Sequence, residues 1–190
     1  MQGRLRDLRS YSSYGLDLSL TATGVAKYDH HKEHFEGWLI RSQPPGFRRP
    51  YEHIERLIKI RDRVLRVIPD RVLVVVEAPA YRSQVGLHER SGVWWMVVAG
   101  LLEKRCEIVE VAPATRAKYV TGNGRADKKA VVKAVNSLYR LPNPVTDDNL
   151  ADAVTLSAMG LRLMGVPVER VRSKRSAEFE ERLQVVRRGL

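Results

Sequence analysis

In Arg71-Val72-Leu73-Val74-Val75-Val76-Glu77-Ala78-Pro79, five aliphatic residues run without a break into a carboxylate. A continuous β-branched run of this kind, closed by a proline, predicts a strand buried on both faces with an acid at its tip. A strand covered on both sides needs helices above and below it, which makes the domain α/β. Strand and helix alternate downstream. Leu87 to Lys104 predicts a helix with Trp94, Trp95 and Val98 facing the core, and Glu107 to Val111 a strand. Ala126 to Tyr139 predicts another helix, and Asp148 to Met164 a last one carrying Leu150, Val154, Leu156, Met159 and Leu163. Upstream, Ile54, Leu57, Ile58, Ile60, Val64, Leu65 and Ile68 recur at helical spacing as far as Pro69. Before the proline-rich Gln43 to Pro50 lie three short alternating runs, Tyr11 to Asp17, Thr23 to Tyr28 and His34 to Arg41, which predict an antiparallel meander. The expected fold is a mixed five-stranded sheet, three meander strands plus parallel strands, with helices on both faces. A domain is expected over 1–165, followed by a charge-dense helix or arm over 166–190.

The chain has 190 residues, enough for one domain with a real core, and carries 33 Lys and Arg against 22 Asp and Glu, a net charge of +11. Such an excess favours a polyanionic partner, nucleic acid before an acidic membrane surface. The longest apolar stretch, Val93 to Leu102, is half of what spans a bilayer, so no membrane helix is expected. The N-terminus is charged throughout and lacks the apolar core of a secretion signal, so a cytoplasmic location is expected. The single Cys106 reads as a buried structural thiol.

Four acids stand out from this background. Asp17 lies where an apolar strand meets the small-residue turn of Gly15-Leu-Asp-Leu-Ser-Leu-Thr-Ala-Thr-Gly24. A buried ionised Asp needs compensation, either from a cation or from the hydroxyls of Ser19, Thr21 or Thr23. Glu77 ends a central strand at the sheet edge where open α/β folds bind ligands. Asp148 and Asp152, four apart on the last helix, share one face and repel each other unless a cation bridges them. Helix capping accounts for Asp147 but not for Asp152 between Ala151 and Ala153. Carboxylates from three elements, without His or Cys, suit a hard cation such as Mg²⁺ or Mn²⁺ and disfavour zinc. Two such ions support phosphodiester hydrolysis. Thr121-Gly-Asn-Gly124, flanked by Lys118, Lys128 and Lys129, reads either as a loop turning backbone amides towards phosphate or as a plain glycine turn before a helix capped by Asp127. Arg116 and Arg125 extend its charge.

Four segments together resemble the RuvC family of Holliday junction resolvases, within the ribonuclease H-like fold. They are Gly15 to Gly24, Val74-Val-Val-Glu-Ala-Pro79, Pro113-Ala-Thr-Arg-Ala-Lys-Tyr-Val-Thr-Gly-Asn-Gly-Arg-Ala-Asp-Lys128, and Asp148-Asn-Leu-Ala-Asp-Ala-Val154. The resemblance runs from Tyr14 to Met164. It implies a two-ion Mg²⁺ site, with Mn²⁺ as substitute, formed by Asp17, Glu77, Asp152 and either Asp148 or Asn149, of which Asp148 is preferred on charge. It also implies Lys118 and Lys128 near the scissile phosphate, and an aromatic near Tyr81-Arg82 against junction bases. Tyr81 packing on the domain surface is the alternative. It further implies a homodimer, for which the Leu87 to Leu102 helix with Trp94 and Trp95 is a candidate interface. Leu18 and Ser19, where bacterial members carry Pro and Gly, resemble divergent phage-encoded members. The activity implied is an endonuclease resolving four-way DNA junctions and leaving 3′-hydroxyl and 5′-phosphate ends. Flap or fork cleavage, a non-catalytic DNA-binding module and a sugar kinase-like fragment are the competing readings.

Overall fold

A computed structural model describes residues 12–44, 46, 49–79 and 87–169. Five strands, β1 (Ser13–Asp17), β2 (Ala22–Asp29), β3 (His34–Arg41), β4 (Leu73–Glu77) and β5 (Glu107–Val111), form one sheet in the order β3-β2-β1-β4-β5. The first three pair antiparallel as the expected meander, and β1, β4 and β5 run parallel. Five helices accompany them: α1 (Pro50–Val67), α2 (Leu87–Glu103), α3 (Pro113–Thr121), α4 (Lys128–Leu138) and α5 (Asp148–Leu163).

Side chains alternate across each strand, so every strand addresses two cores. Tyr14, Leu16, Val74 and Val76 point to one face and pack with Ile60 and Val64 of α1 and with Val93, Val97 and Leu101 of α2. Leu73 and Val75 point to the other face, against Leu156 and Met159 of α5. Beyond α5, Val131 and Val135 of α4 meet Ala151, Val154 and Ala158. The mixed sheet with helices on both faces is therefore as the sequence predicts.

The proximity of α5 to the sheet is set by glycine. A Cβ on Gly15 of β1 would lie 1.9 Å from the Ala153 carbonyl oxygen, and one on Gly24 of β2 would lie 2.1 Å from that of Asn149. Only the absence of side chains lets the helix backbone rest on the strands. At the far end, the Ser157 hydroxyl donates to the Ser13 carbonyl at 2.7 Å. Helix α5 thus runs antiparallel to β1 and brings its first turn over the end of that strand.

Trp95, expected to face the core with Trp94 and Val98, is instead 61% exposed. The segment after Pro113, for which the sequence predicts no element, forms the nine-residue α3, with Pro113 in its first turn and Gly122 in the left-handed conformation (φ 80°) closing it. The described chain continues past Gly165. Val168 packs against the α4–α5 core, and Glu169 pairs with the buried Arg162 at 2.6 Å. The remaining arm, 170–190, lies outside the described residues. No helix among the described residues is long and apolar enough to cross a membrane.

Candidate active site

Asp17 and Glu77 end β1 and β4, one position past the paired Leu16 and Val76. Alternation places both carboxylates on the α5 face of the sheet, with Gly15 and Val75. The end of β4 is held from the opposite side, where Trp94 Nε1 of α2 donates to the Glu77 carbonyl at 3.0 Å. Asp147 caps α5, accepting from Asn149 N at 3.0 Å and Leu150 N at 3.3 Å, so Asp148 and Asp152 leave the first turns of that helix over the same edge. The Asn149 amide turns back onto Asp147 at 3.3 Å, while Asp148 points towards Lys128 and within electrostatic reach of Asp17.

The turn hydroxyls do not compensate Asp17. Ser19 N donates to Thr23 Oγ1 at 3.1 Å, Thr23 Oγ1 donates to the Ser19 carbonyl at 2.8 Å, and the Ser19 and Thr21 hydroxyls pair at 3.3 Å. They bond the turn and one another. Asp17 is 9% exposed, and burial, then the Glu77 carboxylate, pushes its pKa up to about 7. Burial raises Glu77 as well, against the opposing pull of Arg116. Asp148 is held below the usual carboxylate range by its hydrogen bond from Lys128, which is raised in return.

Arg116 is the unexpected member. Predicted among DNA-facing cations, it is instead 8% exposed, on the inner side of α3 beside Ala117 and Val120. Its Nε donates to Glu77 Oε2 at 2.5 Å, and its Nη1 is paired with Asp152 Oδ1. The spacing of Arg116, Ala117 and Val120, an inward stripe once α3 is recognised, is the sequence signal that would have placed it.

Among the described residues, no three of Asp, Glu, His and Cys stand as a ready-made cation cage. The cause is visible: a guanidinium joins Glu77 and Asp152, and an ammonium takes Asp148. The donor set nonetheless fits a hard divalent ion, because it is all oxygen and Asp17 has no ion pair among the described residues.

A family model described as crossover junction endodeoxyribonuclease RuvC matches residues 54–160. The chain belongs to the RuvC family. That match contains Glu77, Asp148 and Asp152; Asp17 lies outside it and joins them through the β1–β4 pairing. Two solved structures resemble this RuvC-family chain. One is Thermus thermophilus RuvC, with a TM-score of 0.61 at 21% identity over 83% of this chain and 99% of that one. The other is T. thermophilus RuvC in complex with Holliday junction substrate, with a TM-score of 0.61 at 21% identity over 84% and 99%. No curated protein matches the chain by sequence.

The other basic residues of this RuvC-family chain divide by position. Lys118, on α3, is exposed, and Arg125 and Lys129 are exposed before and at the start of α4. Lys128 is also exposed, yet its ammonium reaches Asp148. Three amides of the glycine loop between α3 and α4 bond within the loop or back to α3. Gly122 N bonds Lys118 O at 2.8 Å, Asn123 N bonds Thr121 Oγ1 at 3.0 Å and Arg125 N bonds Asn123 Oδ1 at 3.0 Å. It is a capping turn that leads into α4, which Asp127 caps through Ala130 N at 2.7 Å. Tyr81 and Arg82 lie outside the described residues.

Proposed function

We propose that this protein is a structure-selective endonuclease that resolves four-way DNA junctions, with Asp17, Glu77, Asp148 and Asp152 holding two divalent ions, Mg²⁺ or Mn²⁺. The observation that carries the reading is the convergence of acids from β1, β4 and α5 at one sheet edge in a RuvC-family chain. Such ions, when bound, supply an activated water and charge neutralisation at the leaving oxygen, giving 3′-hydroxyl and 5′-phosphate ends. The chain's own residues do the positioning. Gly15 and Gly24 let α5 lie on the strands, the Asp147 cap orients its first turn, and Trp94 fixes the end of β4. Lys128 and Lys118 supply positive charge for the phosphate, with Arg125, Lys129, Tyr81 and Arg82 extending the contact along the DNA. Exposed Trp95 and Leu102, seven apart on one face of α2, support pairing of two copies, so that both strands of a junction are cut. The protein works in the cytoplasm, where its DNA is, and residues 170–190 serve as a basic arm.

Labelled four-way junction, fork, flap and duplex DNA, incubated side by side with Mg²⁺ or Mn²⁺, test this. Junction is expected to be cut first, and Asp17→Asn to lose activity by ~10³-fold or more. Equal product from wild type and variant would remove the assigned site, and preference for forks or flaps would change the substrate.

A further inference from the structure

We propose that Arg116 is an internal counter-cation that clamps Glu77 and Asp152 and has to release them before a divalent ion can be held there. The inference rests on the reading that these acids bind a cation. The geometry behind it is local. Helix α3 begins at Pro113 and is closed by Gly122, so Arg116 leaves a short, capped helix directly opposite the ends of β4 and α5. Its side chain is 10% exposed, its Nε donates to Glu77 at 2.5 Å and its Nη1 pairs with Asp152. Glu77 and Asp152 come from separate elements, and this guanidinium joins them.

A guanidinium with its donors in a planar fork suits two separated carboxylates, so the clamp compensates both acids at once. Asp17, at the end of β1 beside them, has no ion pair among the described residues and feels the guanidinium only at a distance, too weakly to offset burial. A divalent ion would need the same oxygens that Arg116 now contacts, and like charges a few ångströms apart in a poorly solvated edge repel strongly. Arginine and ion therefore compete for one set of oxygens. Arg116 stabilises the acid cluster when no divalent ion is held, and it weakens the ion's binding by the free energy of breaking its own bonds. It acts through the carboxylates, as a positioning residue.

Isothermal titration of Mn²⁺ into the full chain tests this, with wild type beside Arg116→Gln and Arg116→Lys. Arg116→Gln is expected to bind Mn²⁺ ~10-fold more tightly than wild type, with Arg116→Lys between the two. In chelator, Arg116→Gln should melt below wild type, and saturating Mn²⁺ should narrow or reverse that gap. Equal or weaker Mn²⁺ binding by Arg116→Gln overturns the clamp while leaving the cation site standing. Absence of Mn²⁺ binding by all three proteins overturns the cation reading and the clamp with it. If Arg116→Gln does not fold, nitrogen-15 NMR of the arginine Nε–H groups of wild type, with Arg116→Lys for assignment, decides the matter. The slowly exchanging Arg116 signal, assigned by its loss in Arg116→Lys, should shift or vanish at saturating Mg²⁺. If it stays unchanged while other resonances move, the clamp is wrong.

Discussion

Asp17 shows how one residue ties the sequence to the chemistry. An acid in the apolar run of β1 had two candidate partners, a cation or the turn hydroxyls, and the hydroxyls turn out to bond within their own turn. What is left is a buried carboxylate whose pKa is pushed up to about 7, with burial the main cause and Glu77 the next. In the unfolded chain the same group has an ordinary carboxylate pKa near ~4. Between those values the folded protein keeps a proton that the unfolded chain releases, so this contribution to stability is lost as pH rises towards 7. In chelator, the melting temperature of wild type should therefore fall relative to that of Asp17→Asn as pH climbs from about 5 to 8, and the difference should then level off. Thermal unfolding of both proteins across that range checks it, and a flat difference would mean that burial does not control Asp17. Glu77 and Asp152 stood out for the same reason as Asp17, an acid in apolar company that asks for a partner, and Asp148 for sharing a helix face with Asp152. Arg116 did not, because an arginine in a basic segment looks like surface until a helix turns it inward.

Among the elements, what the sequence made legible followed the length and regularity of the apolar pattern. Helices α1, α2, α4 and α5 have long patterns, and the short β4 is marked instead by its β-branched residues and by Pro79 behind it. Helix α3 has nine residues and only Arg116, Ala117 and Val120 buried, too few for periodicity to separate it from a loop. Its signals were terminal instead, Pro113 at the start and Gly122 at the end. The packing of α5 on the sheet depends on residues with no side chain to pattern. Gly15→Ala should push α5 off β1, because the new Cβ would meet the Ala153 carbonyl at 1.9 Å. We expect a drop of ~3 kcal/mol in urea unfolding, with junction cleavage impaired beyond what the unfolded fraction explains, because Asp148 and Asp152 move with the helix. Trp94→Phe is milder. It removes one donor to the Glu77 carbonyl and should cost ~1 kcal/mol, whereas Trp95→Phe, at a ring 61% exposed, should leave monomer stability near wild type. Chemical denaturation of the two variants side by side separates the hydrogen bond from simple loss of ring volume.

Across the whole molecule, the net charge of +11 is unevenly distributed. Residues 41–72 hold nine basic and four acidic side chains, and 104–140 hold nine basic and three acidic. Arg116, one of the second group, faces inward and neutralises acids, so the outward field is smaller than composition suggests. At the C-terminal side, the described residues end in a buried ion pair. Glu169 is locked to Arg162, itself 6% exposed and bonded to the Tyr119 hydroxyl at 2.9 Å. Truncation after Gly165 would strip that carboxylate from a buried guanidinium, confusing folding with binding. Truncation after Glu169 keeps the pair and removes seven basic and three acidic residues, a net +4. If the arm touches DNA phosphates, every phosphate it no longer neutralises should flatten the slope of log affinity against log salt by ~0.9. We expect this shorter chain to melt close to wild type, to bind junction DNA more weakly at low salt, and to converge on wild type as salt rises. Fluorescence anisotropy across a salt series measures it. An unchanged slope would place the arm away from the DNA and leave the basic stretches of the folded domain to hold the substrate alone.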